Sequence, residues 1–255
     1  MEGRQTTVLA DSRDFVPRAI PLPALESPEP GVVHLWFLDL GGLAGPLRDA
    51  LGGGEEVPST LTAGQLRFAR RFYLRLLLGA YLGLPGKSVR INRQNRGKPV
   101  LDASIHDSDL HFSMAKSEDK LLIGFFISNH LGVDLEPAGR RARNSLGVAR
   151  RYFSKAEADA LEALPSRELD ASFLRVWACK EAVVKASGKG IANQFGRFTV
   201  DTDIARPAAV VDIEGEDANR WSLALVRPES EFLGAVAIEA EMTEIRAFQL
   251  LPAHD

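Results

Sequence analysis

The sequence predicts an α+β fold (mixed α and β) built from small, mainly antiparallel sheets and long helices. Three observations carry this. Strands and helices do not alternate regularly along the chain, which argues against a doubly wound parallel sheet. Each half of the chain holds one long helix and several short strands. Two apolar runs, Leu110 to Met114 and Leu121 to Ser128, are close enough to pair as an antiparallel hairpin.

The elements follow in order. Residues 1–31 are rich in proline and turn residues and read as an irregular N-terminal arm. His34 to Leu38 reads as a strand and Gly41 to Pro58 as a Gly-rich connection. Thr62 to Leu82 is a helix, with Leu66, Tyr73, Leu74, Leu77, Leu78 and Tyr81 near 3.6-residue spacing, ended by Pro85-Gly86. Ser88 to Asn92 is a short strand, Asn95 to Lys98 a turn, and the hairpin comes next. The seam between halves falls near Asn129–Leu131, which divides the chain into 1–31, 32–130 and 131–255. Gly132 to Glu136 starts a new strand. Ser154-Lys-Ala-Glu157 is a capping box opening a helix that runs to about Leu164. Glu168 to Ser187 is a longer helix, closed by Gly188. After Phe198 the chain is mostly strand: Ala209 to Ile213, Ser222 to Val226, Leu233 to Glu239 and Ile245 to Leu250. The halves share no exact repeat.

Composition bounds the function. A chain of 255 residues that is 45% hydrophobic and 25% charged is globular and long enough for a core that needs no disulfide. The single cysteine, Cys179, allows no internal disulfide or thiolate zinc cluster and reads as a buried thiol. The N-terminal residues lack the apolar core of a signal peptide, and Leu76 to Leu84 is too short to span a bilayer. A soluble, cytoplasmic protein is expected. A net charge of −3 excludes a protein that coats nucleic acid.

That average hides a segregation of charge. Val57 to Leu101 holds no Asp or Glu, but carries Arg67, Arg70, Arg71, Arg75, Lys87, Arg90, Arg93, Arg96 and Lys98. From Asp201 onward twelve acidic residues face four basic ones. A second basic cluster, Arg140, Arg141, Arg143, Arg150 and Arg151, sits mid-chain. Such blocks attract anions. Any single arginine reads as solvated surface; the acid-free run as a whole reads as a site for a phosphate-rich anion smaller than a nucleic acid.

The chemistry concentrates in two segments. On the strand Gly132-Val-Asp134-Leu-Glu136, Asp134 and Glu136 point the same way. Paired carboxylates repel unless a cation lies between them, and hard oxygen ligands favour Mg²⁺ or Mn²⁺. An exposed strand of alternating charge is the plainer reading of this segment. The second segment is Trp177-Ala-Cys-Lys180-Glu181-Ala-Val-Val-Lys185, followed by Gly188-Lys189-Gly190. Trp177, Glu181 and Lys185 share one helical face, so Glu181 offers a third carboxylate and Lys185 a phosphate partner. Taken alone, this segment is better explained as a surface Glu–Lys pair beside a core Trp.

Gly132-Val-Asp134-Leu-Glu136, then Arg150-Arg151-Tyr-Phe-Ser154-x-x-Glu157, then Trp177-x-x-Lys180-Glu181-Ala-x-x-Lys185, with Gly97-Lys98-Pro99 upstream, together resemble the signature of the 4′-phosphopantetheinyl transferases. The match covers roughly residues 32 to 200. It is to the larger, single-chain (pseudo-dimeric) subfamily that activates the carrier proteins of peptide, polyketide and fatty-acid synthases. The resemblance implies two similar halves related by a pseudo-twofold, each a sheet on a long helix, with coenzyme A as co-substrate in the cleft. It implies transfer of the phosphopantetheine arm to a serine of an acyl, peptidyl or aryl carrier protein, with release of 3′,5′-ADP. Asp134, Glu136 and Glu181 would hold Mg²⁺ (or Mn²⁺) against the diphosphate. The carrier serine must lose a proton as it attacks, and Glu181, or a metal-bound water oriented by it, is the candidate base. Lys185 and Lys180 would contact phosphates or assist the leaving group, Lys98 and Pro99 would lie beside the adenine and 3′-phosphate, and Arg67 would match a phosphate-binding arginine. The N-terminal half would thus supply coenzyme A contacts, and the C-terminal half the metal site and carrier docking, with Arg140 to Arg151 as a landing strip for an acidic carrier. A monomer is implied, with neither nucleic acid nor membrane as partner. One departure stands out: Phe112-Ser-Met-Ala-Lys116-Ser117 has Lys116 where the family usually has a histidine, and there Lys116 would offer its charge to a coenzyme A phosphate as a flexible point charge. A non-catalytic coenzyme A or carrier-binding module on the same fold is the alternative this departure raises; a metal-dependent phosphodiesterase is the other.

Overall fold

A computed structural model describes residues 14–45, 61–93, 97–128, 130–188 and 194–253. Outside them lie the first 13 residues of the arm, most of the Gly-rich connection, Arg96, Asn129 and the Lys189-Gly190 pair.

In chain order the elements are β1 (Val16–Ala19), β2 (Val32–Asp39), α1 (Ala63–Leu82), β3 (Ile91–Arg93), β4 (Pro99–Leu101), β5 (His111–Ser117), β6 (Lys120–Phe126) and β7 (Leu131–Pro137). Then come α2 (Ser145–Tyr152), α3 (Lys155–Glu162), α4 (Ser166–Ser187), β8 (Phe198–Asp201), β9 (Ala209–Ile213), β10 (Ser222–Val226), β11 (Phe232–Ile238) and β12 (Glu244–Leu251). One sheet has the order β1-β12-β2-β6-β5, a second β10-β11-β7, and β3-β4 and β8-β9 form two-stranded ribbons. The three-stranded sheet is antiparallel throughout, whereas β12 lies parallel to both β1 and β2.

Alternation of side chains builds four layers. On β2, Trp36 and Leu38 face α1 and pack with Tyr73, Leu77 and Leu78, while Val33, Leu35 and Phe37 face the second sheet and pack with Val133, Leu135 and Val236. On β11, Val236 and Ile238 join that central core, and Ala235 and Ala237 turn outward to α4. The order is therefore α1, five-stranded sheet, three-stranded sheet, α4.

The helix ends follow their caps. Thr62 and Gln65 form a reciprocal capping box on α1, and Gly83 closes it at φ 64°. Ser154 and Glu157 do the same at the start of α3, and Gly188 ends α4 at φ 65°.

Five elements differ from the sequence reading. The strand expected at Ser88 to Asn92 begins only at Ile91, after a 3₁₀ turn at Gly86–Ser88. Val16–Ala19, expected within an irregular arm, is a strand on the sheet edge, where Pro17 costs no ladder hydrogen bond on its open side. The basic stretch before Tyr152 is a helix, N-capped by the Asn144 side chain. Pro99–Leu101 and Phe198–Asp201 are short strands that local apolar patterning did not mark.

Candidate functional site

Gly132 determines how close α4 comes to β7. A Cβ on Gly132 would stand 1.9 Å from the Ala182 carbonyl oxygen and 2.5 Å from the Ala186 nitrogen, so the helix backbone rests directly on the strand. Ala235 and Ala237 of β11 continue this small-residue floor under the Ala178, Ala182 and Ala186 face of α4. Asp134 and Glu136, on the same face of β7 as Gly132, are thereby carried to the helix at Glu181 and Lys185.

The contacts confirm that juxtaposition. Lys185 Nζ lies 2.6 Å from Asp134 Oδ1 and 3.5 Å from Glu181 Oε2. Glu136 Oε2 accepts from Arg140 Nη1 at 2.5 Å. Asp134 and Glu136 are buried, and among the described residues Asp134 Oδ2 has no hydrogen-bond partner. Trp177 Nε1, also buried, points at Glu136 and helps to offset the rise in its pKa. Burial raises the pKa of all three carboxyls, Asp134 despite its Lys185 bond. Asp134 adds to the rise at Glu136, and both add to it at Glu181, as like charges in one pocket must.

As the side chains stand, their oxygens engage Lys185 and Arg140, and no group of three His, Cys, Asp or Glu among the described residues could hold an ion. The donor set nonetheless suits a hard divalent cation. It is all oxygen, it is desolvated, and the orphaned Asp134 Oδ2 is a buried acceptor that a cation would satisfy.

Lys98 braces this site from behind: its Nζ donates to the Leu131 carbonyl at 3.1 Å and to the Lys185 carbonyl at 3.0 Å, and burial lowers its pKa. Pro99 follows it and opens β4, opposite Arg93. Ser113 of β5 accepts the Val133 N–H through its hydroxyl at 3.2 Å, tying the five-stranded sheet to the three-stranded one.

Three expected residues stand elsewhere. Lys180 is wholly buried and faces away from the carboxylates: its Nζ meets the Phe195 carbonyl at 2.7 Å, the Phe198 carbonyl at 2.6 Å and Glu157 Oε2 at 2.9 Å. All three ammonium hydrogens are used, so the expected phosphate contact is corrected to a structural tie. Lys116 is exposed on β5, on the α1 side with Phe112 and Met114. Arg67 is exposed on α1, two sheets away from Asp134. Cys179 is buried, and its thiol pKa is pushed up by burial, as expected of an inert core thiol. Sequence reasoning missed the Arg140–Glu136 pair, which an i, i+4 spacing across the strand end hinted at.

The 4′-phosphopantetheinyl transferase superfamily model matches residues 130–237, the stretch from β7 to β11. The 4′-phosphopantetheinyl transferase HetI of Nostoc sp. (strain PCC 7120) is 30% identical over 220 residues, covering 81% of this chain and 87% of that protein. The chain belongs to the 4′-phosphopantetheinyl transferase superfamily. The 4′-phosphopantetheinyl transferase Sfp of Bacillus subtilis (strain 168) is 30% identical over 160 residues, 57% of this chain and 68% of Sfp. Among solved structures, the Helicobacter pylori holo-[acyl-carrier-protein] synthase in complex with coenzyme A aligns with 42% of this chain and 97% of its own, at 18% identity and a TM-score of 0.33. The chain is thus a transferase of this superfamily; Asp134, Glu136, Glu181 and Lys185 sit within the matched stretch, and Lys98, Pro99 and Ser113 precede it. No helix among the described residues is long and apolar enough to cross a membrane.

Proposed function

We propose that this chain transfers the 4′-phosphopantetheine arm of coenzyme A to a serine hydroxyl of a carrier protein and releases 3′,5′-ADP, with Mg²⁺ as its metal. The observation that carries the reading is Lys185 seated between Asp134 and Glu181 on the strand face that Gly132 opens to α4.

In this reading the serine oxygen forms a bond to the β-phosphorus of coenzyme A as the bond to the departing 3′,5′-ADP breaks. Glu181 accepts the serine proton; its desolvated carboxyl holds a proton better than an exposed one. Lys185 offsets charge on the leaving phosphate. Asp134, Glu136 and Glu181 are the residues that would hold Mg²⁺, which when bound supplies positive charge to the diphosphate oxygens. Lys98, through its bonds to Leu131 and Lys185, orients the last turn of α4. The half 32–130 contributes coenzyme A contacts, and 131–255 the carboxylates and the docking of the carrier. Arg140, Arg141, Arg143, Arg150 and Arg151 are all exposed and form a basic surface for an acidic carrier. The protein works as a monomer.

The test is incubation of an apo carrier protein with coenzyme A and Mg²⁺, read by intact mass and by released nucleotide. A mass gain of one phosphopantetheine with equimolar 3′,5′-ADP is expected. No gain with several carrier types overturns the reading.

A further inference from the structure

On the outer face of α1, the layer opposite the carboxylates, lies an open groove of about 980 Å³. One wall is a helical stripe: Phe68, Phe72, Leu76 and Ala80 follow at four-residue steps, a rise of about 18 Å. The other wall comes from Ile20 and Leu22 of the arm and from the turn after α1. Phe68 is 43% exposed and Leu84 41%, so two of the molecule's exposed large apolar side chains meet in one groove. Phe68 and Phe72 stack with ring centres 6.3 Å apart, presenting an ordered aromatic surface.

The rim is cationic. Arg71, Arg75 and Lys87 line the groove, and Gly86, the neighbour of Lys87, packs against the Arg75 backbone, so Lys87 joins the rim beside Arg75, with Arg71 one helical turn before it. Among the described residues none of the three has an acidic partner, although α4 and the C-terminal strands pair most of theirs. An apolar stripe of this length beside unpaired cations matches the complement of an amphipathic helix with acidic flanks.

We propose that this groove is a docking surface for a short amphipathic helix of a partner protein, its apolar stripe seated on Phe68, Phe72 and Leu76 and its flanking carboxylates on Arg71, Arg75 and Lys87. Two sheets separate it from Asp134, so the docked helix is a second contact and not the carrier of the reacting serine.

The test uses the full chain and a fluorescein-labelled peptide of about 14 residues, roughly four helical turns. Its leucines are spaced three and four apart and flanked by glutamates; a twin carries lysines in their place. Anisotropy is expected to show saturable binding of the acidic peptide and at least about tenfold weaker binding of the lysine twin. Arg71→Glu/Arg75→Glu, and separately Phe68→Ser, should each weaken the acidic peptide about tenfold while thermal melting stays unchanged. Equal binding of both peptides, no binding of either, or unaltered affinity in the variants overturns the proposal. Displacement of the peptide by coenzyme A would reassign the cations to its phosphates. Sedimentation showing a dimer that Phe68→Ser dissolves would give the groove to a second copy of the chain. Either of these also overturns the proposal.

Discussion

The two long helices cover their sheets by opposite means. Under α1, large side chains fill the interface: Tyr73, Leu77 and Leu78 lie fully buried against Trp36, Leu38 and Phe125. Its polar groups bond locally, Tyr81 accepting from Trp36 at 2.9 Å and meeting His34 Nδ1 at 2.9 Å, and Tyr73 donating to the Leu43 carbonyl at 2.6 Å. Under α4, Gly132, Ala235, Ala237, Ala178, Ala182 and Ala186 leave almost nothing between backbones. Around that seam sit Asp134, Glu136, Glu181 and Lys185 on one side of the helix, and Lys180 with Glu157 on the other. Bulk gives α1 its stability and leaves no chemistry in the contact. Small residues give α4 a close approach, and closeness is what lets carboxylates from a strand and a helix share one desolvated pocket.

The largest expected effect is on the pocket itself. Asp134→Ala should lower turnover by on the order of a thousandfold or more, because the carboxylate that Lys185 grips and that would help hold the metal is gone. Folding should survive, since the deletion relieves a buried group with an orphaned oxygen. Intact-mass assays beside circular dichroism check both; near-normal turnover would remove Asp134 from the chemistry. Lys180→Met tests the other side of the same helix. It leaves the buried Glu157 carboxylate without its countercharge, held only by the Ser154 and Val200 N–H groups, at about 3–5 kcal/mol of unfolding free energy. Adding Glu157→Gln should return part of that loss, as urea titrations would show.

Gly132→Ala sharpens the contrast between the helices. The added methyl must displace the α4 backbone, costing about 3 kcal/mol. The molecules that still fold should be poor catalysts, because Glu181 and Lys185 move with the helix. Leu77→Ala under α1 should cost about 2–5 kcal/mol as a cavity, yet leave turnover per folded molecule nearly unchanged. A Gly132→Ala enzyme with full activity would show that the close approach serves stability alone.

These contrasts were unevenly visible in the sequence. Caps and period are local, so Thr62, Ser154 and Gly188 mark helix ends correctly, and two-residue and four-residue spacing places Asp134 with Glu136 and Glu181 with Lys185. Lys180 could not be placed that way. It adjoins Glu181, but one helical step turns it to the opposite side, and its partners are a capping glutamate 23 positions earlier and carbonyls beyond the helix. The return of β12 to lie parallel beside β2 was equally hidden, since an apolar run carries no statement of which sheet it will join. The same holds for Lys116: the motif aligns it with a phosphate-binding position, whereas strand alternation turns it to the α1 side.

A smaller effect separates the two interfaces by pH. Burial holds His34 near a pKa of about 4, against 6.5 in the unfolded chain. The unfolded state therefore binds the extra proton first, and the stability present above pH 6.5 is lost as pH falls toward 4. The α1 half should lose on the order of 1–2 kcal/mol between pH 7 and pH 5 from this group. His34→Phe should flatten that part of the profile, followed by urea titrations at each pH; an unchanged slope would mean the acid sensitivity arises elsewhere.

The smallest effect belongs to Lys116. Were it the working counterpart of the family histidine, its loss would cripple coenzyme A binding. Its exposed place on β5, on the face shared with Phe112 and Met114, leaves it only a screened, long-range attraction for a polyphosphate bound near Lys98 and Lys185. Lys116→Ala should therefore raise the KM for coenzyme A by no more than about two- to threefold, with kcat unchanged, and the difference should fade as salt is raised. Lys98→Ala, which removes two bonds to the backbone of β7 and α4, should instead lower kcat as well as weaken binding. If the two substitutions behaved alike, β5 would have to turn its Lys116 edge toward the cleft when coenzyme A binds, and the separation between an inert α1 side and a reactive α4 side would be weaker than the unliganded packing indicates.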